Sequence, residues 1–152
     1  VERRVVPVGE EDEGVVRLAL LAGGGRADIG TGKGYFLQPT IFDGVTPDMR
    51  IAREEIFGPV VSIIPFDTEE EAIRLANDTP YGLSGSIWSR DIGRALNAAR
   101  KLQFGTVWIN DHIPLVSEMP HGGYKQSGYG KDLSAYSLED YTQIKHVMAK
   151  LD

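Results

Sequence analysis

The 152-residue chain contains no cysteine. This absence excludes disulfide bonds, thiolate metal ligands and a cysteine nucleophile. The sequence also lacks a signal-peptide core and any apolar run long enough to span a bilayer, so we expect a cytoplasmic protein with no membrane partner. A net charge of −6 argues against nucleic acid as a partner. Because the sequence does not begin with Met, we expect a processed or truncated piece.

What is present is the composition of a globular domain, with 41% hydrophobic and 25% charged residues. A chain of this length can bury a core of its own. The histidines, His112, His121 and His146, are too scattered along the sequence to indicate a metal site. Each is therefore interpreted as a surface or hydrogen-bonding residue.

Strand-like and helix-like segments alternate from residue 60 onward. The predicted strands are residues 60–66, 83–88 and 106–110, and the predicted helices are residues 69–77 and 92–102. Asp67 or Thr68 caps the first helix and Ser89 caps the second. The alternation predicts an α/β fold, a parallel-type sheet with flanking helices. Ligands of such sheets bind beyond the carboxyl ends of the strands, so the segment after Asn110 is a natural place for a site.

Glycine and proline punctuate the segments before this alternation. Residues 15–22 form a short apolar element that ends at a glycine run, which suits either a strand end or a helix C-cap. Residues 30–34 are glycine-rich, but Lys33 is followed by glycine and strand-like residues, which predicts a turn rather than a phosphate-binding loop. Residues 35–42 alternate loosely and contain Pro39, which predicts an edge strand.

The end of the chain predicts two further elements. Residues 134–141 indicate a short helix. Residues 143–151 alternate polar and apolar side chains, which predicts a half-buried terminal strand. A terminal strand with an exposed edge can pair with another chain, so we expect a homo-oligomer formed through this strand.

The segment that organises the chain is EEIFGPV at residues 54–60, directly before an apolar run. Gly58 permits a tight or left-handed bend, and Pro59 fixes its own φ while disfavouring a helical Gly58. We interpret the segment as a loop that holds Glu55 and Phe57 at fixed positions near the end of a strand.

Five separated segments together resemble the NAD(P)-dependent aldehyde dehydrogenases. These segments are residues 34–42, 53–60, 79–83, 105–110 and 122–131. The resemblance implies the C-terminal part of the catalytic domain, including the strand used for oligomerisation. It divides the chain into a poorly aligned N-terminal segment, an α/β catalytic portion, and a terminal helix and strand. The boundaries are residues 1–34, 35–133 and 134–152. For the first 14 residues it implies an amphipathic helix that the sequence does not convincingly provide.

The resemblance also implies roles for single residues. Glu55 would hydrogen-bond the ribose of the nicotinamide nucleotide, and Phe57 would pack near the nicotinamide. Asn110 would begin the substrate-tunnel loop, and Leu115 and His121 would line the tunnel. The cofactor is NAD or NADP, because the residues that choose between them lie upstream.

Two further acids stand out within the resemblance. Asp132 occupies a position where many members carry a glutamate of the deacylation network, so its shorter side chain is a departure. Residues 116–123 and 128–132 look most like the aminobutyraldehyde dehydrogenases. Glu118 is therefore interpreted either as the partner of a substrate ammonium group or as a surface acid.

The absence of cysteine leaves three interpretations, because the family needs a thiol nucleophile. The chain is part of an aldehyde-oxidising enzyme that works only when intact, or a non-catalytic oligomerisation module of the same fold, or a small nucleotide-binding module. The first predicts aldehyde as substrate and no activity from the chain alone.

Overall fold

The structure is a computed structural model that describes residues 4–5 and 18–152. Its strands are β1 (Arg4–Val5), β2 (Ala19–Ala22), β3 (Thr40–Asp43), β4 (Val60–Ser62), β5 (Ser84–Ile87), β6 (Thr106–Ile109), β7 (His121–Gly122) and β8 (Lys131–Asp132). Its α-helices are α1 (Arg50–Arg53), α2 (Glu69–Asn77), α3 (Ile92–Lys101) and α4 (Ser134–Asp140), and a 3-10 turn spans Lys125–Ser127. The predictions for residues 1–14 lie outside the described residues, as do residues 15–17 of the apolar element.

The contacts divide the chain into two units, Val1–Asp67 and Thr68–Asp152. In the first unit, four strands form one sheet in the order β1-β2-β3-β4. The pairs β1–β2 and β2–β3 are antiparallel, whereas β3 and β4 are parallel, with Thr40 opposite Val60. The glycine run therefore follows a strand, β2, and not a helix.

The prediction of an edge strand at residues 35–42 is wrong. The strand begins only at Thr40, after Pro39, and it lies between β2 and β4. Proline disrupts a ladder only where its missing N–H is needed, and Pro39 lies just outside the ladder. The neighbouring Thr40 N–H donates to the carbonyl of Pro59 at 2.8 Å, so pairing on this side starts one residue after the proline.

The core of the first unit is small. Val45, 1% exposed, is its buried apolar residue among those described, and its N–H donates to the Ile63 carbonyl at 3.2 Å. The predicted strand at residues 60–66 shortens to β4, which alternates half-buried and exposed side chains. Polar side chains make local turns beside this core; a hydrogen bond from Thr46 lowers the pKa of the Asp48 carboxyl.

The second unit contains the predicted parallel strand–helix–strand arrangement. Strands β5 and β6 pair in parallel from Ser84 opposite Thr106 to Ile87 opposite Ile109, and α3 connects them. Ala95 of α3 is 1% exposed, because α3 packs on both strands. The strands among the described residues thus form three sheets rather than one continuous parallel sheet.

The starts of α2 and α3 follow ordinary capping chemistry. Of the two predicted caps of α2, Asp67 and Thr68, the structure has Thr68, whose hydroxyl accepts from the Glu71 N–H at 3.1 Å. Ser89 was predicted to cap the next helix, and this is wrong: Asp91 caps α3 and accepts from the Arg94 N–H at 3.0 Å. Glu69 and Arg94 join the two helices by an ion pair that raises the pKa of the arginine.

The helix predicted near residue 134 is confirmed as α4, whereas the strand predicted at residues 143–151, which was expected to pair with another chain, stays a prediction. No backbone ladder pairs with these residues in the described part of the chain, and their side chains are exposed. Polar–apolar alternation alone does not make a strand, because the N–H and C=O groups need a neighbouring strand.

The fold class is α/β, as predicted. The domain boundaries predicted at residues 34/35 and 133/134 stay a prediction. Within the described residues, no helix is both long enough and apolar enough to cross a bilayer.

Candidate functional site

The first predicted site segment is the 54–59 loop, which connects α1 to β4. The sequence suggested a left-handed bend at Gly58, but the left-handed residue is Phe57, with a φ of 45°. Left-handed backbone is unfavourable for a bulky residue with a Cβ. The Phe57 ring is 94% exposed, so no packing within the first unit offsets that cost.

Glu55 stands beside Phe57 on this loop and is exposed. Its carboxylate makes no hydrogen bond or ion pair with the residues that the structure describes, whereas the adjacent Glu54 pairs with Arg50 at 2.8 Å. Glu55 therefore presents free acceptor oxygens, and Phe57 presents a free aromatic face. Of the two acids, only Glu55 is available for a ligand without breaking an existing contact.

The second predicted site segment is the 111–120 loop, which follows β6. Asn110, the residue directly before it, is left-handed, with a φ of 55°. The Asn110 amide makes two hydrogen bonds of 2.8 Å with the backbone of Ser89: its oxygen accepts from the N–H, and its nitrogen donates to the carbonyl. Asn110 thus prolongs the β5–β6 pairing through its side chain, in addition to its own N–H donating to Ile87.

Two further hydrogen bonds fix the first half of this loop, and sequence analysis missed both. Ser86 Oγ and His112 Nδ1 lie 2.7 Å apart, and the Trp108 indole N–H donates to the Pro114 carbonyl at 2.8 Å. Ser86 and Trp108 face each other across the parallel ladder. Parallel pairing of the two predicted strands in this register would have placed both side chains under the loop.

The second half of the loop carries Leu115 and Glu118, both exposed. Leu115 is 53% exposed. The Ser134 N–H, at the start of α4, donates to the Ser117 carbonyl at 2.8 Å. The loop is therefore held at its beginning by two strands and near its end by a helix. The Glu118 carboxylate has no hydrogen bond or ion pair with a described residue.

His121 and Asp132 are brought together by the short β7–β8 hairpin, where they occupy opposite positions of the ladder. The His121 ring is half-buried, and its Nδ1 lies 3.1 Å from the hydroxyl of Thr106 on β6. Both residues line a cleft of about 570 Å³, together with Lys131 and Tyr141. A predicted substrate residue and the predicted supporting acid thus share one concave surface.

The predicted site residues divide between the two units. Asn110, Leu115, Glu118, His121 and Asp132 lie in the second, and Glu55 and Phe57 lie in the first. Over the described range, no group of three or more acids and histidines is placed to hold a metal ion.

Comparison with known proteins identifies the family of this chain. Residues 11–147 match the aldehyde dehydrogenase family. The chain belongs to that family. The betaine aldehyde dehydrogenase of Bacillus subtilis is 54% identical over 114 residues, which cover 75% of this chain and 23% of that protein.

Solved aldehyde dehydrogenase structures share the fold. The betaine aldehyde dehydrogenase of Staphylococcus aureus, solved in complex with NAD+, is 49% identical with a TM-score of 0.78, over 82% of this chain and 25% of that one. The indole-3-acetaldehyde dehydrogenase of P. syringae, also solved with NAD+, is 48% identical with a TM-score of 0.81, over 88% and 27%. The chain therefore spans about a quarter of the length of these relatives.

Proposed function

We propose that the chain is the C-terminal portion of the catalytic domain of an NAD(P)-dependent aldehyde dehydrogenase that oxidises an aldehyde to a carboxylic acid. The observation that carries this proposal is family membership in a chain without cysteine. The reaction needs a thiol that attacks the aldehyde carbon. Another part of the intact enzyme must supply that thiol, so the chain alone is expected to be inactive.

The geometry of the 54–59 loop supports its assignment to the cofactor. Ribose hydroxyls need acceptors, and the Glu55 carboxylate is exposed with no partner among the described residues. A nicotinamide ring needs an apolar face, which the 94% exposed Phe57 ring offers. The bound dinucleotide would accept a hydride from the substrate. Solved relatives with NAD+ favour NAD, while NADP stays open.

We assign the 111–120 loop and the adjacent cleft to the substrate. Leu115 would supply an apolar wall, and His121, with Asp132 opposite it, would lie at the cleft beside β7. Asp132 would support the later hydrolytic step by acting on His121 or on water in the cleft. Asn110 enters this proposal through backbone contacts, because both ends of its amide are already bonded to Ser89.

An amino-aldehyde is the proposed substrate class, and Glu118 is its proposed recognition residue. Its carboxylate has no partner within the described residues, so it is available for an ammonium group. Glu118→Gln in the intact enzyme should raise KM for an ω-amino-aldehyde about 10-fold, the usual scale for one charged hydrogen bond. KM for a neutral aldehyde of equal length should not change. Glu139→Gln changes another exposed acid and is the matched control. If Glu118→Gln changed KM equally for both substrates, Glu118 would be a surface acid and not a recognition residue.

The test of the proposed function itself compares the isolated chain with the intact enzyme. Each is mixed with NAD+ and an aldehyde, and NADH absorbance is followed. The proposal expects turnover by the intact enzyme, loss of most of it in Glu55→Gln, and none by the chain. Turnover by the chain, or an intact protein inactive with every aldehyde tried, would refute it. We also expect a cytoplasmic location and neither nucleic acid nor membrane as partner, as the sequence predicted.

A second candidate is a non-catalytic oligomerisation module, and the exposed tail favours it. Ile144, Val147, Met148 and Leu151 are between 77% and 90% exposed. Apolar side chains this exposed are expected to be covered in an assembly. Light scattering on the chain, with and without residues 143–152, tests this candidate. A defined oligomer that becomes monomeric on truncation would support it, and a monomer in both would exclude it.

A further inference from the structure

The Ser86–His112 hydrogen bond has no role in the site as assigned above. Ser86 lies on β5, His112 on the 111–120 loop, and the two are 26 residues apart in sequence. A hydrogen bond between a strand and a distant loop constrains the loop more than one within it, because it fixes the loop to a rigid element. The 2.7 Å separation of Oγ and Nδ1 is that of a well-formed hydrogen bond.

Trp108 adds two contacts beside this hydrogen bond, and we call Ser86, Trp108 and His112 together the anchor of the loop. The rings of Trp108 and His112 meet edge to face, with centroids 5.4 Å apart. The same indole donates to the Pro114 carbonyl at 2.8 Å. Two consecutive strands thus hold the residues on either side of Ile113.

Ile113, between the two anchored residues, has an unfavourable backbone conformation. It is β-branched and has a φ of 76°, a backbone region such residues rarely adopt. Its side chain is 63% exposed, so packing against described residues does not compensate. Strained backbone of this kind persists only where the surrounding contacts determine it. The contacts at His112 and Pro114 are the ones that flank it.

We propose that His112, held by Ser86, is a positioning residue that fixes the shape of the 111–120 loop and thereby the placement of Leu115 against the substrate. The inference rests on the proposed function, because it assumes that this loop contacts the aldehyde. His112 itself touches neither substrate nor cofactor in this account. Its effect passes through the turn at Ile113 to the next exposed apolar side chain.

The test uses Ser86 variants of the intact enzyme. Ser86→Ala should raise KM for the aldehyde about 3- to 10-fold with kcat within about 2-fold, the scale of one net hydrogen bond. Amide exchange at Asn110 and Met119, whose N–H groups are hydrogen-bonded at the two ends of the loop, should rise by a similar factor. Ser86→Thr retains a hydroxyl on a β-branched residue suited to a strand and should restore both values.

Ser84→Ala is the matched control. Ser84 lies two residues before Ser86 on the same strand and face, and its hydroxyl makes no hydrogen bond with a described residue. It should leave KM and exchange at wild-type values. A merely structural role would lower the melting temperature of Ser86→Ala without changing the ratio of KM to kcat.

The outcomes are separable. Unchanged exchange at Asn110 and Met119 of Ser86→Ala would overturn the anchor, and faster exchange with unchanged KM would overturn its positioning role. Failure of Ser86→Thr to restore KM would overturn the assignment to the hydroxyl. A wild-type enzyme that oxidises no aldehyde would instead refute the proposed function, and the wild type alone gives that result.

Discussion

The 54–59 loop and the 111–120 loop both carry predicted site residues, but their own units hold them differently. The 111–120 loop is fastened by side chains of Ser86, Trp108 and Asn110 and by the N–H of Ser134. In the 54–59 loop, the side chains of Glu55 and Phe57 contact no polar partner among the described residues. Contacts within this chain therefore determine the shape of the 111–120 loop. In the 54–59 loop, Glu55 and Phe57 have no such contacts among the described residues, and the backbone of Phe57 is in an unfavourable left-handed conformation. We infer that ligand contacts matter more for the shape of the 54–59 loop.

The largest expected effect is a loss of stability in the second unit next to β6, the strand that precedes the 111–120 loop. Gly105, just before β6, lies so close to β7 that an added Cβ would stand 1.5 Å from the Gly122 carbonyl oxygen. Backbone cannot move away as a side-chain tip can, so Gly105→Ala should destabilise the second unit by about 3 kcal/mol or more. Urea unfolding followed by tryptophan fluorescence measures this.

Gly130→Ala is the control for that substitution, since an added Cβ there meets nothing within 4 Å. It should leave the urea midpoint nearly unchanged. Equal urea midpoints for Gly105→Ala and the wild type would mean that β6 and β7 can move apart at no cost in stability. The strands could then not hold the 111–120 loop in a fixed position.

A smaller effect is expected at Asn110, directly before the same loop. Asn110→Ala removes two hydrogen bonds to Ser89 and puts alanine at a φ of 55°. The expected destabilisation is about 2 kcal/mol, from two net hydrogen bonds and a less tolerated left-handed residue. Asn110→Gly tolerates the backbone and should lose less, which separates the two causes. Asn97→Ala, an exposed position on α3, should be neutral in the same urea titration.

The smallest effect on stability, and the opposite sign, is expected in the 54–59 loop. Phe57→Gly removes a ring that is 94% exposed and a left-handed penalty of about 1–2 kcal/mol, while the greater chain entropy of glycine costs about 0.5–1 kcal/mol. The net effect should be a stabilisation of roughly 0.5–1 kcal/mol. In the intact enzyme it should weaken NAD+ binding, measured by calorimetric titration. Phe57→Asn, which also tolerates this backbone, should weaken binding equally. A large loss of stability in either variant would contradict the account of this loop as unsupported.

Local chemistry made part of the fold predictable. Thr68 lies directly before an acidic helix start, so the sequence alone narrows the cap of α2 to Asp67 or Thr68. Ser89 is not the cap because its hydroxyl accepts from the N–H of Asp91, two residues further on, and α3 begins only after Asp91. The supposed edge strand failed similarly, since the position of β3 depends on its pairing with β2 and β4.

In the candidate site, too, some residues could be identified from local sequence and others depend on distant contacts. Glu55, Phe57 and Glu118 could be named from motifs, and their exposure in the structure suits ligand-facing roles. Ser86 and Trp108 could not, because their meaning arises only when β5 and β6 pair in parallel and bring both beneath one loop. The left-handed Phe57 was also missed, since Gly58 was the residue expected to bend.

The most direct test is amide hydrogen exchange of the intact enzyme with and without NAD+. Without the cofactor, the account predicts slow exchange at the bonded amides of Asn110 and Met119 and fast exchange in residues 55–58. NAD+ should slow exchange in residues 55–58 and leave the 111–120 loop unchanged. Equal rates in both loops without NAD+, or no protection of residues 55–58 when it binds, would contradict both the comparison and the cofactor assignment.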